Sequence, residues 1–127
     1  MSRAVEGWTR IAQDDRSKPE EGRYAVVRLE NLGQSEALLA LAKHVSTRPR
    51  LQGAAAKALE RLGDGESLSI LAHDVTARAT IRQLAGEALE RIGRMQDAAE
   101  AWLTMVSDSR LREGEQRVAA KKLGRLA

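Results

Sequence analysis

The chain repeats itself. Aligned on glycine, four segments read "RYAVVRLENLG" (23–33), "GAAAKALERLG" (53–63), "QLAGEALERIG" (83–93) and "RVAAKKLGRLA" (117–127). Successive segments are 30, 30 and 34 residues apart. Three columns are nearly constant: Ala25, Ala55, Ala85, Ala119; Leu29, Leu59, Leu89, Leu123; and Leu32, Leu62, Ile92, Leu126. That spacing lays all three on one stripe of an α-helix. Glycine closes three segments where a left-handed C-cap belongs, and Ala127 replaces it in the fourth.

A second apolar helix precedes each segment. "SEALLALAKHVS" follows Gly33, "ESLSILAHDVT" follows Gly63 and "DAAEAWLTMVS" follows Gly93. The opening "SRAVEGWTRIAQDD" plays this part in the first unit, its "AVEGW" matching "AAEAW" at 98–102. Ser35, and Asp64 or Ser67, are the candidate N-caps. The spacing predicts an all-α chain of about four antiparallel helical hairpins, eight helices in one domain over 1–127. Its units run roughly 1–33, 34–63, 64–93 and 94–127. The outer units carry the longer turns, "DDRSKPEEG" and "SDSRLREGEQ".

Composition agrees. A chain of 127 residues suits one domain with a real core. Its apolar side chains are mostly Ala and Leu, which form helices well and let them approach closely. No cysteine is present, so disulfides and thiolate metal sites are excluded. The N-terminus lacks the apolar run of a signal peptide and no stretch is long enough to span a membrane, so a cytoplasmic protein is expected. The net charge of +3 permits an acidic partner without demanding one. Arginine outnumbers lysine, which favours forked contacts with carboxylates or phosphates.

These segments resemble the short bacterial HEAT-like repeats of the phycobilisome-lyase type, whose motif is similar to "R..AA.AL..LG" followed by a second apolar helix. The likeness covers essentially the whole chain and is strongest over residues 51–93. The family's Asp-Pro-x-Val-Arg turn is missing, with "STRPRLQG" and "TARATIRQ" in its place. The last unit also resembles a tetratricopeptide, with Ala98 at its small packing position. Arrays of this sort are similar to the sensor regions of bacterial signalling NTPases, yet no GxxxxGK[ST] phosphate loop occurs here. The resemblance implies a right-handed α-solenoid whose concave wall is made by the helices ending in "LG".

On those helices the positions turned away from the stripe form three rows. They read Val27, Lys57, Glu87, Lys121; Glu30, Glu60, Glu90, Gly124; and Asn31, Arg61, Arg91, Arg125. The plainer expectation is that acidic and basic rows neutralise each other within or between units. As a binding wall, mixed charge suits a peptide or protein and suits a nucleic-acid backbone badly. The turns hold a second ladder: Arg16 and Lys18, Arg48 and Arg50, Arg78 and Arg82, Arg110 and Arg112. This edge is expected either to bond nearby carboxylates (Asp14, Asp15, Asp74, Asp108) and helix-end carbonyls, or to grip phosphate or an acidic helix. It carries no aromatic platform for base stacking.

His44 and His73 are the only histidines, too few for zinc and without a nucleophile to serve. No catalytic, cofactor or metal residue is expected. Trp8 and Trp102 either fill the core or anchor a partner beside a groove. The expectation is a non-catalytic protein-interaction scaffold. Nucleic-acid or phosphate binding through the arginine edge, and lyase-like chromophore handling, are the alternatives. The last helix lacks a polar capping hairpin, so self-association through it, a partner covering that face, or a longer array is also foreseen.

Overall fold

The computed structural model describes residues 3–14, 16–44 and 46–126. Among them lie eight α-helices and no strand. They are α1 (Arg3–Gln13), α2 (Pro19–Asn31), α3 (Ser35–Lys43), α4 (Pro49–Arg61), α5 (Gly65–His73), α6 (Ala79–Arg91), α7 (Met95–Val106) and α8 (Glu113–Leu126). Consecutive helices pair as four hairpins, α1 with α2 through to α7 with α8. The hairpins stack in two layers. One layer packs α2 on α4 and α4 on α6, and the other runs α1, α3, α5, α7.

The glycine column does what its position predicts. Gly33, Gly63 and Gly93 have φ of +67°, +69° and +88°, a region L side chains rarely adopt. There the chain folds back on the helix it has just left. Gln34 N–H donates to Leu29 O at 3.0 Å and Gly33 N–H to Glu30 O at 2.9 Å, and the same pair of bonds closes α4 and α6. Each short turn then delivers the chain directly into the next hairpin. Asp64 caps α5 by accepting from the Ser67 N–H at 3.0 Å. Ser35 is not a cap: it is the first helical residue of α3, after Gln34.

Between the layers, the Ala and Leu columns are sealed. Ala25, Leu29, Ala55, Leu59, Ala85 and Leu89 are fully buried, facing Leu38, Leu41, Leu68 and Leu71 of the other layer. Each such leucine contributes roughly 1.5–3 kcal/mol relative to exposure. The third column departs from expectation. Leu32 is 44 % exposed and Leu62 38 % exposed, whereas Ile92 and Leu126 of the same column are half-buried against the core.

The two outer hairpins differ from the inner ones. On α2, Arg28 stands where α4 and α6 bury Ala58 and Ala88. It lies 6.0 Å from the Trp8 ring, and Trp8 meets Tyr24 edge to face at 5.4 Å. In the last hairpin, Trp102 occupies the column of Ala42 and Ala72 and is completely buried. Its indole fits against Gly86, where an added Cβ would meet the ring at 2.6 Å. Here α8 leans on α7 and reaches α6 mainly through long side chains. Trp102 is therefore a core residue and offers no accessible anchor.

Candidate functional site

The two charged rows on the α2–α4–α6–α8 side form a ladder. Arg61 of α4 donates from Nε and Nη2 to the carboxylate of Glu30 on α2, at 2.8 and 2.7 Å. Arg91 of α6 grips Glu60 of α4 in the same two-pronged way, at 2.7 and 2.8 Å. The last rung is wider. Arg125 Nη2 reaches Glu90 at 2.7 Å, while the other oxygen of Glu90 accepts from the Trp102 indole N–H at 2.8 Å. Lys122 closes the same junction, 2.6 Å from Glu87 and 5.7 Å from the Trp102 ring. The sequence reading placed Lys121 in this row; its neighbour Lys122 makes the bond.

The rungs are not symmetric. Each arginine side chain stays more than half exposed, whereas each glutamate is less than a quarter exposed. The surface thus presents guanidinium edges, with the carboxylates behind them. The hydrogen bonds from Arg61 and Arg91 hold Glu30 and Glu60 below the ordinary carboxylate range, against the opposing effect of burial. The same bonds raise Arg61 and Arg91. Around the rungs, Val27, Asn31, Lys57 and Lys121 are exposed.

The turn edge resolves differently. Asp14 accepts from the backbone N–H and Nε of Arg16, which with the 2.9 Å backbone bond foremost lowers its carboxyl. Positions 14, 44, 74 and 108 all use this device, a side chain accepting from the backbone N–H two residues on. Three are aspartates. His44 is the substitute, its Nδ1 3.2 Å from Ser46 N and 2.7 Å from Ser46 Oγ. His73 instead lies within 3.2 Å of Thr104 Oγ1.

Lys18, Arg48 and Arg78 are the N-caps of α2, α4 and α6, and none caps with its side chain. A cation there opposes the helix dipole, so another gain must hold it. For two of the three it is a bond to the preceding hairpin. Arg48 Nη2 donates to Ser17 O, and Arg78 Nε to Gln52 Oε1 at 2.9 Å.

Arg82 does not lie on the edge at all. It is 1 % exposed, four residues into α6. Its Nε donates to Ala72 O at 3.0 Å, completing the end of α5, and its Nη1 meets Asp108 of the next hairpin at 2.9 Å. Gln52 and Gln116 hold the equivalent place in α4 and α8, donating to His44 O at 2.9 Å and Asp108 O at 2.7 Å. The bonds of Arg82 to Asp108 and to a helix-end carbonyl are those expected of the arginine edge; that Gln52 and Gln116 share its column was missed, although 52, 82 and 116 follow the repeat spacing. Asp108 collects Arg110 through both Nε and the backbone N–H, with Arg82 on its far oxygen. Those bonds, from Arg110 first and then Arg82, drive its carboxyl far below the usual range.

Arg112 contributes only its backbone N–H, to Glu115 at 2.8 Å. Among the described residues, Lys18, Arg50 and the Arg112 side chain hold no ion pair. No described group of three metal-binding side chains is gathered anywhere, and no described helix is long and apolar enough to cross a membrane. Asp15 and Ala127 lie outside the described residues.

Fold and surface define a stack of helical hairpins tied together by arginines. No protein-family model matches the chain, and neither does any curated protein or solved structure.

Proposed function

We propose that the protein is a non-catalytic interaction scaffold, and that a protein or peptide partner lies along the ladder side of α2, α4, α6 and α8. The observation that carries this reading is the asymmetry of the rungs. Three guanidinium edges, from Arg61, Arg91 and Arg125, are held at fixed positions yet remain largely open to solvent. Ordering them in advance lowers the entropy that a partner must remove on binding. Lys57 and Lys121 widen the cationic strip, while Val27 and Asn31 extend it over α2. A partner surface with carboxylates set beside apolar groups fits this strip best. It would share each arginine rather than break its rung. Nucleic-acid binding along the turns has less to draw on, since five of its eight cations already hold partners, Arg16 and Arg110 in their own turns and Arg48, Arg78 and Arg82 in a neighbouring hairpin.

A photo-reactive amino acid placed at Lys57 or Val27 tests the proposal in the native cell, with Glu66 and Gln96 on the other layer as control positions. A discrete protein cross-link confined to the first two positions is expected. Equal labelling at all four positions, or none, removes the proposal.

A further inference from the structure

At the other end of α2 and α4 from the ladder, a cavity of about 420 Å³ opens between the first two hairpin turns. Its lining is Pro19, Arg23, Arg48, Pro49, Arg50 and Leu51. Two prolines and a leucine supply its apolar wall, and three arginines line the rest. Volumes of a few hundred Å³ with mostly apolar walls and a few convergent polar groups are typical of ligand sites.

The cations divide by role. Arg48 is half-buried and reaches Ser17 O across the hairpin junction, so it belongs to the framework. Arg23 and Arg50 are exposed and, among the described residues, hold no ion pair, in contrast to Arg61, Arg91, Arg82 and Arg110. Glu20 and Glu21 follow Pro19 on α2, yet neither lines the cavity. The first turns of both helices also face this end, adding a modest attraction for negative charge.

The repeat supplies its own control. One unit further along, the equivalent positions are Pro49, Gly53, Arg78, Ala79, Thr80 and Ile81. Only one arginine remains there, and it is bonded to Gln52. A feature needed merely to stack hairpins would recur at each junction. Three arginines without a carboxylate among them do not: between the last two turns Arg78, Arg110 and Arg112 again line a cavity, but Asp108 and Glu115 line it with them.

We infer that this cavity binds an oxyanion carried on a short apolar chain, with Arg23 and Arg50 gripping the anion and Pro19, Pro49 and Leu51 taking the chain. Guanidinium forks match both carboxylate and phosphate, so the chemistry is shared by an acyl carboxylate and an alkyl phosphate. The site is distinct from the ladder and does not depend on it.

Hexanoate and hexyl phosphate are the probes, titrated at low salt while arginine Nε–H and leucine methyl NMR signals are followed. Saturable shifts confined to Arg23, Arg50 and Leu51 are expected from at least one probe, and the tighter probe identifies the kind of anion. Hexanol and inorganic phosphate should each bind at least tenfold more weakly. Exchanging both exposed arginines, Arg23→Gln with Arg50→Gln, should weaken the probe at least tenfold with the circular dichroism spectrum unchanged. Arg91→Gln should leave its binding alone. The inference is overturned if neither probe saturates, if inorganic phosphate binds as tightly as hexyl phosphate, or if the double variant binds within twofold of the original.

Discussion

Two sets of arginines cross from one hairpin to the next, and their surroundings make them different objects. Arg61 and Arg91 meet their glutamates in solvent, in two-pronged geometry at 2.7–2.8 Å. Arg82 meets Asp108 at 2.9 Å with both side chains almost wholly covered. By distance alone the ladder looks stronger. Water decides otherwise. An exposed pair is screened and contributes from about zero to 1 kcal/mol, whereas removing one partner of a buried pair costs about 3–5 kcal/mol. The clamp also completes the end of α5 through Ala72 O, which no ladder residue does for its neighbour. The ladder orders a surface; the clamp joins the third hairpin to the fourth.

That contrast can be broken by mutation. Arg82→Ala is expected to cost about 3 kcal/mol in urea unfolding, by leaving a cavity and loosening Asp108. Arg82→Met should refill the cavity and recover only part of the loss, since it still leaves Ala72 O unpaired and Asp108 buried with one partner fewer. A cost below about 1 kcal/mol for the alanine variant would put the clamp on the same footing as the ladder.

Acid should reveal the clamp next. Asp108 is lower in the folded chain than in the unfolded one, so its stabilisation is present above about pH 4 and is lost as pH falls further. Glu30 and Glu60 act with the same sign. Stability should therefore decline from pH 4 downward, and Asp108→Asn should be weaker at pH 7 with a shallower acid decline. Denaturant melts at pH 7, 4 and 3 would separate the two curves.

Smaller effects refine the picture. Gln52→Ala removes the bonds to His44 O and Arg78 and is expected to cost about 1–2 kcal/mol. Arg91→Gln should cost less than about 1 kcal/mol, and that cost should shrink further in 1 M salt. A larger, salt-insensitive loss would place the ladder with the clamp. His44→Asp restores the residue used at the other three turns and should raise stability by a few tenths of a kcal/mol, read from the urea midpoint.

The parts of the fold that were legible in the sequence are those repeated at constant spacing. Ala25, Leu29 and their equivalents announce a buried stripe, because a helix returns every third or fourth residue to one face. The glycines announce left-handed caps, because only that residue takes a positive φ without strain. The opposite charges of Glu30 and Arg61 announced neutralisation, though not that arginine would face outward. For Arg82 the expected bonds to a helix-end carbonyl and to Asp108 are both made, but its burial was not foreseen: it stands on the first turn of α6, inside the junction, and its carboxylate partner lies 26 positions on, in another hairpin. Gly86 and Trp102 each depart from their column, and each looks like a flaw alone. Their complementarity emerges only when the third and fourth hairpins are stacked.

By itself, then, the chain's periodicity determined the helices, their glycine C-caps, their pairing into hairpins and the identity of most core residues. These rest on local geometry and on burial of one face, which neighbours along the sequence specify. Tertiary packing alone decided which cations are buried, which member of each charged pair faces solvent, and where arginines with no ion pair among the described residues line a cavity with apolar side chains. Those outcomes depend on which surfaces exclude water, and that is settled between hairpins rather than within them.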